Sequence, residues 1–205
     1  LMSIIQAAIL GIIQGLTEFL PVSSSGHLTL FQKIFGLEEV TMSFDIILHV
    51  ATLIAVFIRY REDIWRLVKN PFPTVIAALL LSDIIGQTFG TGNYIGINFM
   101  ITAAILLYAD TRKKGFKKIK DMAYSDAVVI GVMQGIAICP AISRSGMTIS
   151  GALARNLNRN SAARFSFLLS IPAILGAMTL TLKDIVTGGD PGLAEIGALP
   201  IIVGF

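Results

Sequence analysis

The most regular feature of the chain is an alternation of long apolar blocks with short polar segments. Each block is roughly 15 to 20 residues long, close to the length that a helix needs to cross a hydrocarbon core of about 30 Å. The pattern predicts an all-α, polytopic membrane protein. Its helical blocks are expected at 2–20, 44–58, 74–89, 94–109, 127–142, 164–182 and 193–205.

The chain also contains an internal repeat. Residues 11–26 align without a gap with residues 131–146, so that Gln14 falls on Gln134 and Gly26 on Gly146. In both copies an apolar helix runs into a break that ends in Ser-x-Ser-Gly, and a short amphipathic stretch follows. We therefore predict one integral membrane domain over 1–205, with repeat 1 at about 1–110 and repeat 2 at about 121–205.

Each break is interpreted as the tip of a re-entrant helical hairpin followed by transmembrane helices, because polar backbone at membrane depth is tolerated only where it lines a protein cavity. Three spans between the hairpins would invert the second copy. The inverted arrangement places all but three of the sixteen lysines and arginines on one side, which is then cytoplasmic. The exceptions are Lys33, Lys183 and Arg144. A scheme in which both motif helices are full spans fits the basic residues less well.

Two places depart from a regular repeat. The segment around Pro71 leads straight into a short block that contains Asp83, and the chain stops at Phe205 inside an apolar block. The second copy also has fewer spans than the first. We therefore expect further spans beyond Phe205 and a shortened segment near Pro71.

Composition narrows the class of function. The chain has 205 residues, of which 54% are hydrophobic and 14% charged, and its mean hydropathy is +0.77. The net charge is +3, but the basic residues lie between apolar blocks and form no aromatic-studded face, so we expect no nucleic-acid partner. Cys139 is the single cysteine, which excludes a disulfide framework and a thiolate metal site.

The first motif joins an acid, hydroxyls and an imidazole. Gln14 and Glu18 lie one helical turn apart on one face, and the segment 23–27 carries three serines, a glycine and His27. The second motif repeats the serine–glycine cradle at the helix start and adds Arg144, whose planar guanidinium can grip phosphate in two bonds. Helix N-termini of this kind attract phosphate. The candidate substrate-binding residues are Gln14, Ser23, Ser25, Gly26, Ser143, Ser145, Gly146 and Thr148.

Each candidate also has a purely structural interpretation. The serines could act only as helix caps, and His27 could bond only a backbone carbonyl. Glu18 and Arg144 could form a buried structural pair, although an ionisable group at membrane depth is costly and favours a function. Two other polar residues, Asp45 and His49, are explained equally well as support for the site or for the fold.

The lysine-rich run 112–120, with Asp121 and Asp126, is interpreted as a solvated loop.

At these motifs the sequence resembles the undecaprenyl-diphosphate phosphatase family, the membrane enzymes associated with bacitracin resistance. The matching segments are 8–28, 143–151 and 165–172. The resemblance implies that Glu18 belongs to the family's acidic motif, that His27 is its essential histidine and that Arg144 lies in its Ser-Arg-Ser segment. Gln14 stands where many members have glutamate, and Pro140-Ala141 replaces their Pro-Gly.

The resemblance further implies an activity and a location. Family members remove the terminal phosphate of a C55 polyprenyl diphosphate, generally with Mg²⁺ or Ca²⁺, at a site open to the outer face of the cell membrane. We therefore expect Glu18, Ser24, His27 and Arg144 to be catalytic, with Glu18 also holding the metal. The nucleophile is left open between Ser24 and a water. Membrane lipids are expected partners, and a homodimer is left open.

A second class of function stays open. Inverted repeats whose broken helices meet at the midplane are also typical of carriers, so a polyprenyl-phosphate flippase or an anion transporter could use the same phosphate cradle. Such a protein would bind phosphate without cutting it.

Overall fold

The computed structural model describes residues 2–37, 42–69, 94–112, 115–137, 139, 141–186 and 196–205. Regular structure in these ranges is helical, which confirms the all-α prediction. The predicted block 74–89, with Pro71 and Asp83, lies outside the described residues. The helices are α1 (Ile4–Phe19), α2 (Ser24–Phe35), α3 (Met42–Lys69), α4 (Ile95–Thr111), α5 (Tyr124–Ile136), α6 (Arg144–Ala154), α7 (Arg159–Val186) and α8 (Ala198–Gly204), with a 3₁₀ turn at Ile119–Asp121.

The helices vary in length and polarity. Both α3 and α7 are 28 residues long, and both carry charged residues toward each end. Judged by length and hydropathy together, none of the helices in the described ranges qualifies as a membrane span.

Each of the two motifs forms a helix–break–helix pair, here called a hairpin. Helix α1 ends at Phe19, and α2 begins after Ser23, whose hydroxyl accepts a hydrogen bond from the Gly26 N–H. In the second copy α6 begins after Ser143, whose hydroxyl accepts from the Gly146 N–H at 3.0 Å. The same cap therefore starts the second helix of each hairpin, as the repeat predicts.

The two halves pack together through equivalent helices. Helix α1 packs on α2 and α3, α5 packs on α6, α6 packs on α4 and α7, and α3 packs on α7. Arg164, near the start of α7, forms an ion pair with Asp63, near the end of α3. Tyr60 and Phe167 stack nearby with ring centroids 6.2 Å apart. Because a late residue of α3 meets an early residue of α7, the two helices run antiparallel.

The hairpins also contact each other reciprocally. A Cβ atom on Gly26 would lie 2.9 Å from the Cβ atom of Ala141, in the break of the second hairpin. A Cβ atom on Gly146 would lie 3.1 Å from the carbonyl oxygen of Pro21, in the break of the first hairpin. Gly26 aligns with Gly146, and Pro21 aligns with Ala141. Such an exchange of equivalent contacts is characteristic of a two-fold relation.

The loop interpretation of Asp126 is wrong, whereas Asp121 is exposed. The Asp126 side chain is fully buried at the start of α5, where its carboxylate accepts from the Ala123 N–H at 3.0 Å. It also pairs with Lys117 at 3.0 Å and with Arg155 at 2.7 Å. These partners come from the segment before α5 and from the end of α6, so the carboxylate holds three parts of the second half together.

Candidate active site

The site centres on Glu18, in the last turn of α1, where the side chain is 11% exposed. One carboxylate oxygen, Oε1, accepts a hydrogen bond from the Arg144 guanidinium at 2.7 Å. The other, Oε2, accepts from the Ser24 hydroxyl at 2.5 Å and from the Gln14 amide at 3.3 Å. The first hairpin therefore supplies the acid and a hydroxyl, and the second hairpin supplies the cation.

Ser24 is the first residue of α2 and is oriented by the turn before it. The preceding residue, Ser23, has φ 69°, a left-handed conformation that is uncommon for a residue with a side chain. Backbone strain of this kind is concentrated at functional sites. An ionised carboxylate can only accept, so Ser24 donates its proton to Glu18 and its own lone pairs stay free.

Arg144 occupies the corresponding position in the second hairpin, as the first residue of α6. Its side chain crosses to Glu18 and remains 28% exposed. A guanidinium has five N–H donors, so bonding to Glu18 leaves others available to a ligand. Its place at a helix N-terminus adds the positive end of the helix dipole.

These groups surround a small cavity of about 160 Å³. The cavity lies between the two hairpins and is also bounded by α3, so it is a meeting point of both repeats. Its lining residues are Glu18, Ser24, Ser25, His49, Ala137, Ile142, Arg144 and Ser145.

Several predicted site residues lie beside this cavity rather than in its lining. His27 Nδ1 donates to the Ser23 carbonyl oxygen at 2.8 Å, and its ring meets the Phe99 ring edge-on at 5.3 Å. The hydroxyls of Ser23 and Ser143 cap helices. The Thr148 hydroxyl is buried against Ser166 at 2.6 Å. Direct contact with a ligand stays a prediction for these four residues.

Helix α3 contributes a polar face, of which the sequence left Asp45 and His49 open between support for the site and support for the fold and did not single out Thr52. His49 Nε2 lies 3.6 Å from Glu18 Oε2, and the Thr52 hydroxyl accepts from the Gln14 amide at 3.4 Å. Asp45 accepts from the Gln32 amide of α2 at 2.6 Å. Asp45, His49 and Thr52 are spaced by four and three residues in an apolar block, which is the signal that could have identified this face.

The donors around Glu18 do not fit a divalent cation held by the protein alone. In the described ranges no three His, Cys, Asp or Glu side chains group together in a way that could hold a metal ion. Both oxygens of Glu18 already accept from Arg144, Ser24 and Gln14. The guanidinium 2.7 Å away would also repel a second positive charge.

The family model and the individual relatives found by comparison with known proteins agree with one another. The family model described as bacitracin resistance protein BacA matches residues 7–205. The undecaprenyl-diphosphatase of Carboxydothermus hydrogenoformans is 50% identical over 216 residues, covering 100% of this chain and 82% of the relative. Undecaprenyl-diphosphatase 4 of Bacillus thuringiensis strain Al Hakam is 49% identical, covering 91% and 77%. The undecaprenyl-diphosphatase of Methanosphaera stadtmanae is 38% identical, covering 91% and 80%.

Proposed function

The chain belongs to the BacA bacitracin-resistance family, and from this membership we propose how the residues around Glu18 perform the reaction. The protein is an undecaprenyl-diphosphatase, a hydrolase that removes the terminal phosphate of undecaprenyl diphosphate. The products are undecaprenyl phosphate and inorganic phosphate. The observation that carries the mechanism is the convergence of Ser24, Glu18 and Arg144 on one cavity.

The diphosphate binds between the first turns of α2 and α6. Their backbone N–H groups and dipoles favour an anion, and the free N–H groups of Arg144 donate to the terminal phosphoryl oxygens. Ser25 and Ser145 line the same cavity and supply hydroxyl donors. The polyprenyl chain extends away from this polar centre into the surrounding lipid.

Ser24 acts as the nucleophile and Glu18 as its base. The Ser24 proton already points at Glu18 Oε2, so the carboxylate takes it as Ser24 Oγ attacks the terminal phosphorus. The bond between that phosphorus and the bridging oxygen breaks, and undecaprenyl phosphate leaves. Arg144 stabilises charge on the transferring oxygens, since phosphoryl transfer depends mainly on positioning and charge stabilisation. Water then hydrolyses the phosphoserine.

A divalent cation used in the reaction would be brought by the diphosphate rather than held by the protein beforehand. A cation carried by the substrate would neutralise part of its charge, and Mg²⁺ in phosphate enzymes is commonly held by substrate oxygens and water with few protein ligands. Calorimetric titration of the protein with Mg²⁺ alone should then show no binding, whereas binding in the absence of a diphosphate would contradict this assignment.

The arrangement in the membrane follows from the repeat. We infer an inverted pair of re-entrant hairpins in the cell membrane, with the cavity reached from the outer face. The antiparallel course of α3 and α7 and the reciprocal contacts of the two breaks support it. Ion pairs also bring basic segments predicted to be cytoplasmic together with their acidic neighbours, as Arg159 does with Asp110 at 3.2 Å.

The function is tested by phosphate release from purified undecaprenyl diphosphate in detergent. The wild type should release inorganic phosphate, and Ser24→Ala, Glu18→Gln and Arg144→Lys should each lower the rate by at least about 10²-fold, since acid–base groups and charge donors contribute on this scale. A carrier would bind the lipid and release no phosphate. Near-normal turnover in Ser24→Ala would assign the attack to water instead.

A purely structural pair between Glu18 and Arg144 predicts a different outcome. Removing one member of a buried pair costs about 3–5 kcal/mol. A variant that neutralises only Glu18 or only Arg144 would then melt at a lower temperature, and a double variant that neutralises both would recover the wild-type melting temperature. The catalytic roles predict lost activity in all three variants without that recovery of melting temperature. Thermal unfolding measured beside phosphate release therefore separates the two roles.

A further inference from the structure

We propose that His49 is a further catalytic residue, the base that activates water for hydrolysis of the phosphoserine on Ser24. The inference rests on the proposed mechanism, because it assumes that Ser24 carries the phosphoryl group. It assigns the second half of the reaction to α3, a helix outside both hairpins.

The imidazole of His49 is held with one nitrogen facing the site. Its Nδ1 lies 2.6 Å from the backbone carbonyl oxygen of Asp45, and a carbonyl oxygen only accepts, so Nδ1 carries a proton. In the neutral ring the lone pair is then on Nε2, which lies 3.6 Å from Glu18 Oε2. The Asp45 side chain bonds to Gln32 of α2, which fixes the start of α3 against the first hairpin.

His49 Nε2 and Ser24 Oγ approach the same carboxylate oxygen from one cavity. Ser24 Oγ and His49 Nε2 approach the same Glu18 oxygen, at 2.5 Å and 3.6 Å, so they lie within about 6 Å of each other. Both residues line the cavity. A water in line with phosphorus sits about 3–3.5 Å from it, and its base sits about 2.6–3.2 Å from the water. The proposal places that water in the cavity, between the phosphorus and Nε2.

The mechanism itself requires a second base. After the first step Glu18 holds the proton of Ser24, so it cannot take another from water. Arg144 is permanently charged and cannot accept a proton. Apart from Glu18, His49 and Arg144, the lining residues are serines or apolar, and none is a base near neutral pH. His27 lies outside this lining, with its ring against Phe99.

The second step then balances. The water oxygen bonds to phosphorus as its proton passes to His49 Nε2, and the bond from phosphorus to Ser24 Oγ breaks. Protonated Glu18 returns its proton to Ser24 Oγ. Inorganic phosphate leaves, and His49 releases its extra proton to phosphate or solvent, which restores the starting enzyme.

The second repeat provides a matched control. Phe44 and Leu48 align with Phe165 and Leu169, so Ser170 of α7 takes the place of His49. The Ser170 hydroxyl bonds to a backbone carbonyl of its own helix at 2.8 Å and is absent from the cavity lining. The imidazole therefore belongs to one half alone, and Ser170→Ala should keep wild-type turnover.

The experiment follows both products of purified enzyme acting on undecaprenyl diphosphate labelled in the terminal phosphate. In His49→Gln we expect a burst of about one undecaprenyl phosphate per enzyme, followed by turnover slower by about 10²–10⁴-fold. Acid quenching should trap labelled protein in this variant. Ser24→Ala should give neither burst nor label, and His49→Phe should repeat the His49→Gln result if both variants melt near the wild type.

Two results would overturn the assignment. Turnover of His49→Gln within about 3-fold of the wild type would show that another base is used. Slow turnover of His49→Gln without a burst or labelled protein would show that His49 does not act after phosphoryl transfer. In that case phosphate release by the wild type would still support the phosphatase function. Absence of phosphate release by the wild type would overturn both proposals together.

Discussion

Replacing Asp126 by asparagine tests whether one buried carboxylate joins three segments of the second half. The variant keeps an oxygen that can accept from the Ala123 N–H but removes the charge that pairs with Lys117 and Arg155. The substitution is close in size, so it changes electrostatics more than packing. The site around Glu18 contains none of these residues, so phosphate release at 25 °C should be retained.

The size of the effect follows from burial. Breaking a buried ion pair costs about 3–5 kcal/mol. The side chains of Lys117 and Arg155 are 26% and 38% exposed, so water recovers part of their solvation. We therefore expect a loss of about 2–3 kcal/mol in the free energy of unfolding. At about 2–4 °C per kcal/mol for a chain of this size, the melting temperature should fall by roughly 4–12 °C.

The assay is thermal unfolding in detergent, with Asp121→Asn as the matched control. Asp121 lies in the same segment but is exposed, so its variant should melt within about 1–2 °C of the wild type, as expected for a surface change. Equal shifts in the two variants would refute the reasoning.

The pH dependence gives a second measurement. Burial raises the pKa of Asp126, but hydrogen bonds from Ala123, Lys117 and Arg155 outweigh it and lower the pKa from 3.8 to about 2. A lowered folded pKa gives stability that is complete above the unfolded pKa and is lost as the pH falls through the folded one. The advantage of the wild type over Asp126→Asn should therefore be constant above about pH 5 and shrink between about pH 4 and pH 2.

Two further predictions concern the contact between the breaks. Gly26→Ala should lower the melting temperature, because its Cβ atom would lie 2.9 Å from that of Ala141 and overpacking costs about 1–3 kcal/mol. The control Gly15→Ala, whose Cβ atom would meet nothing within 4 Å, should be neutral or stabilising. Ala141 has φ 67°, so Ala141→Gly should raise the melting temperature by relieving about 1 kcal/mol of backbone strain. The control Ala127→Gly should lower the melting temperature, because glycine destabilises the interior of a helix such as α5. Equal melting for each pair would contradict these contacts.

Local features of the hairpins could be predicted from the sequence. Each second helix begins directly after a Ser-x-Ser-Gly serine because that serine caps it, and capping depends only on neighbouring residues. The departure from the family pattern at Pro140-Ala141 also has a local structural consequence. Ala141 adopts the left-handed conformation in which glycine is favoured, so this chain carries strain at the position where the resemblance leads us to expect glycine.

Contacts between distant segments could not be predicted in the same way. Asp126 resembles a loop residue in sequence, and its burial depends on Lys117 before the helix and Arg155 after the next one. Gly115 permits that approach, since a Cβ there would lie 2.3 Å from the carbonyl oxygen of Leu157. His49 likewise joins the site only because α3 packs on α1.

Comparing the two copies of the repeat shows which positions keep the same residue and which differ. Several positions keep both their residue and their structural environment in the two copies: Ser23 and Ser143 cap their helices alike, and Gln14 and Gln134 are both buried.

The positions of the proposed nucleophile and of the second base differ between the copies. Ser24 aligns with Arg144, and His49 aligns with Ser170. Two serines at the first position would leave the diphosphate charge uncompensated, and two arginines would leave no nucleophile. A single cavity shared by the two copies therefore requires them to diverge at the nucleophile and the cation, while their caps, their packing glycines and the hydroxyl donors Ser25 and Ser145 stay the same.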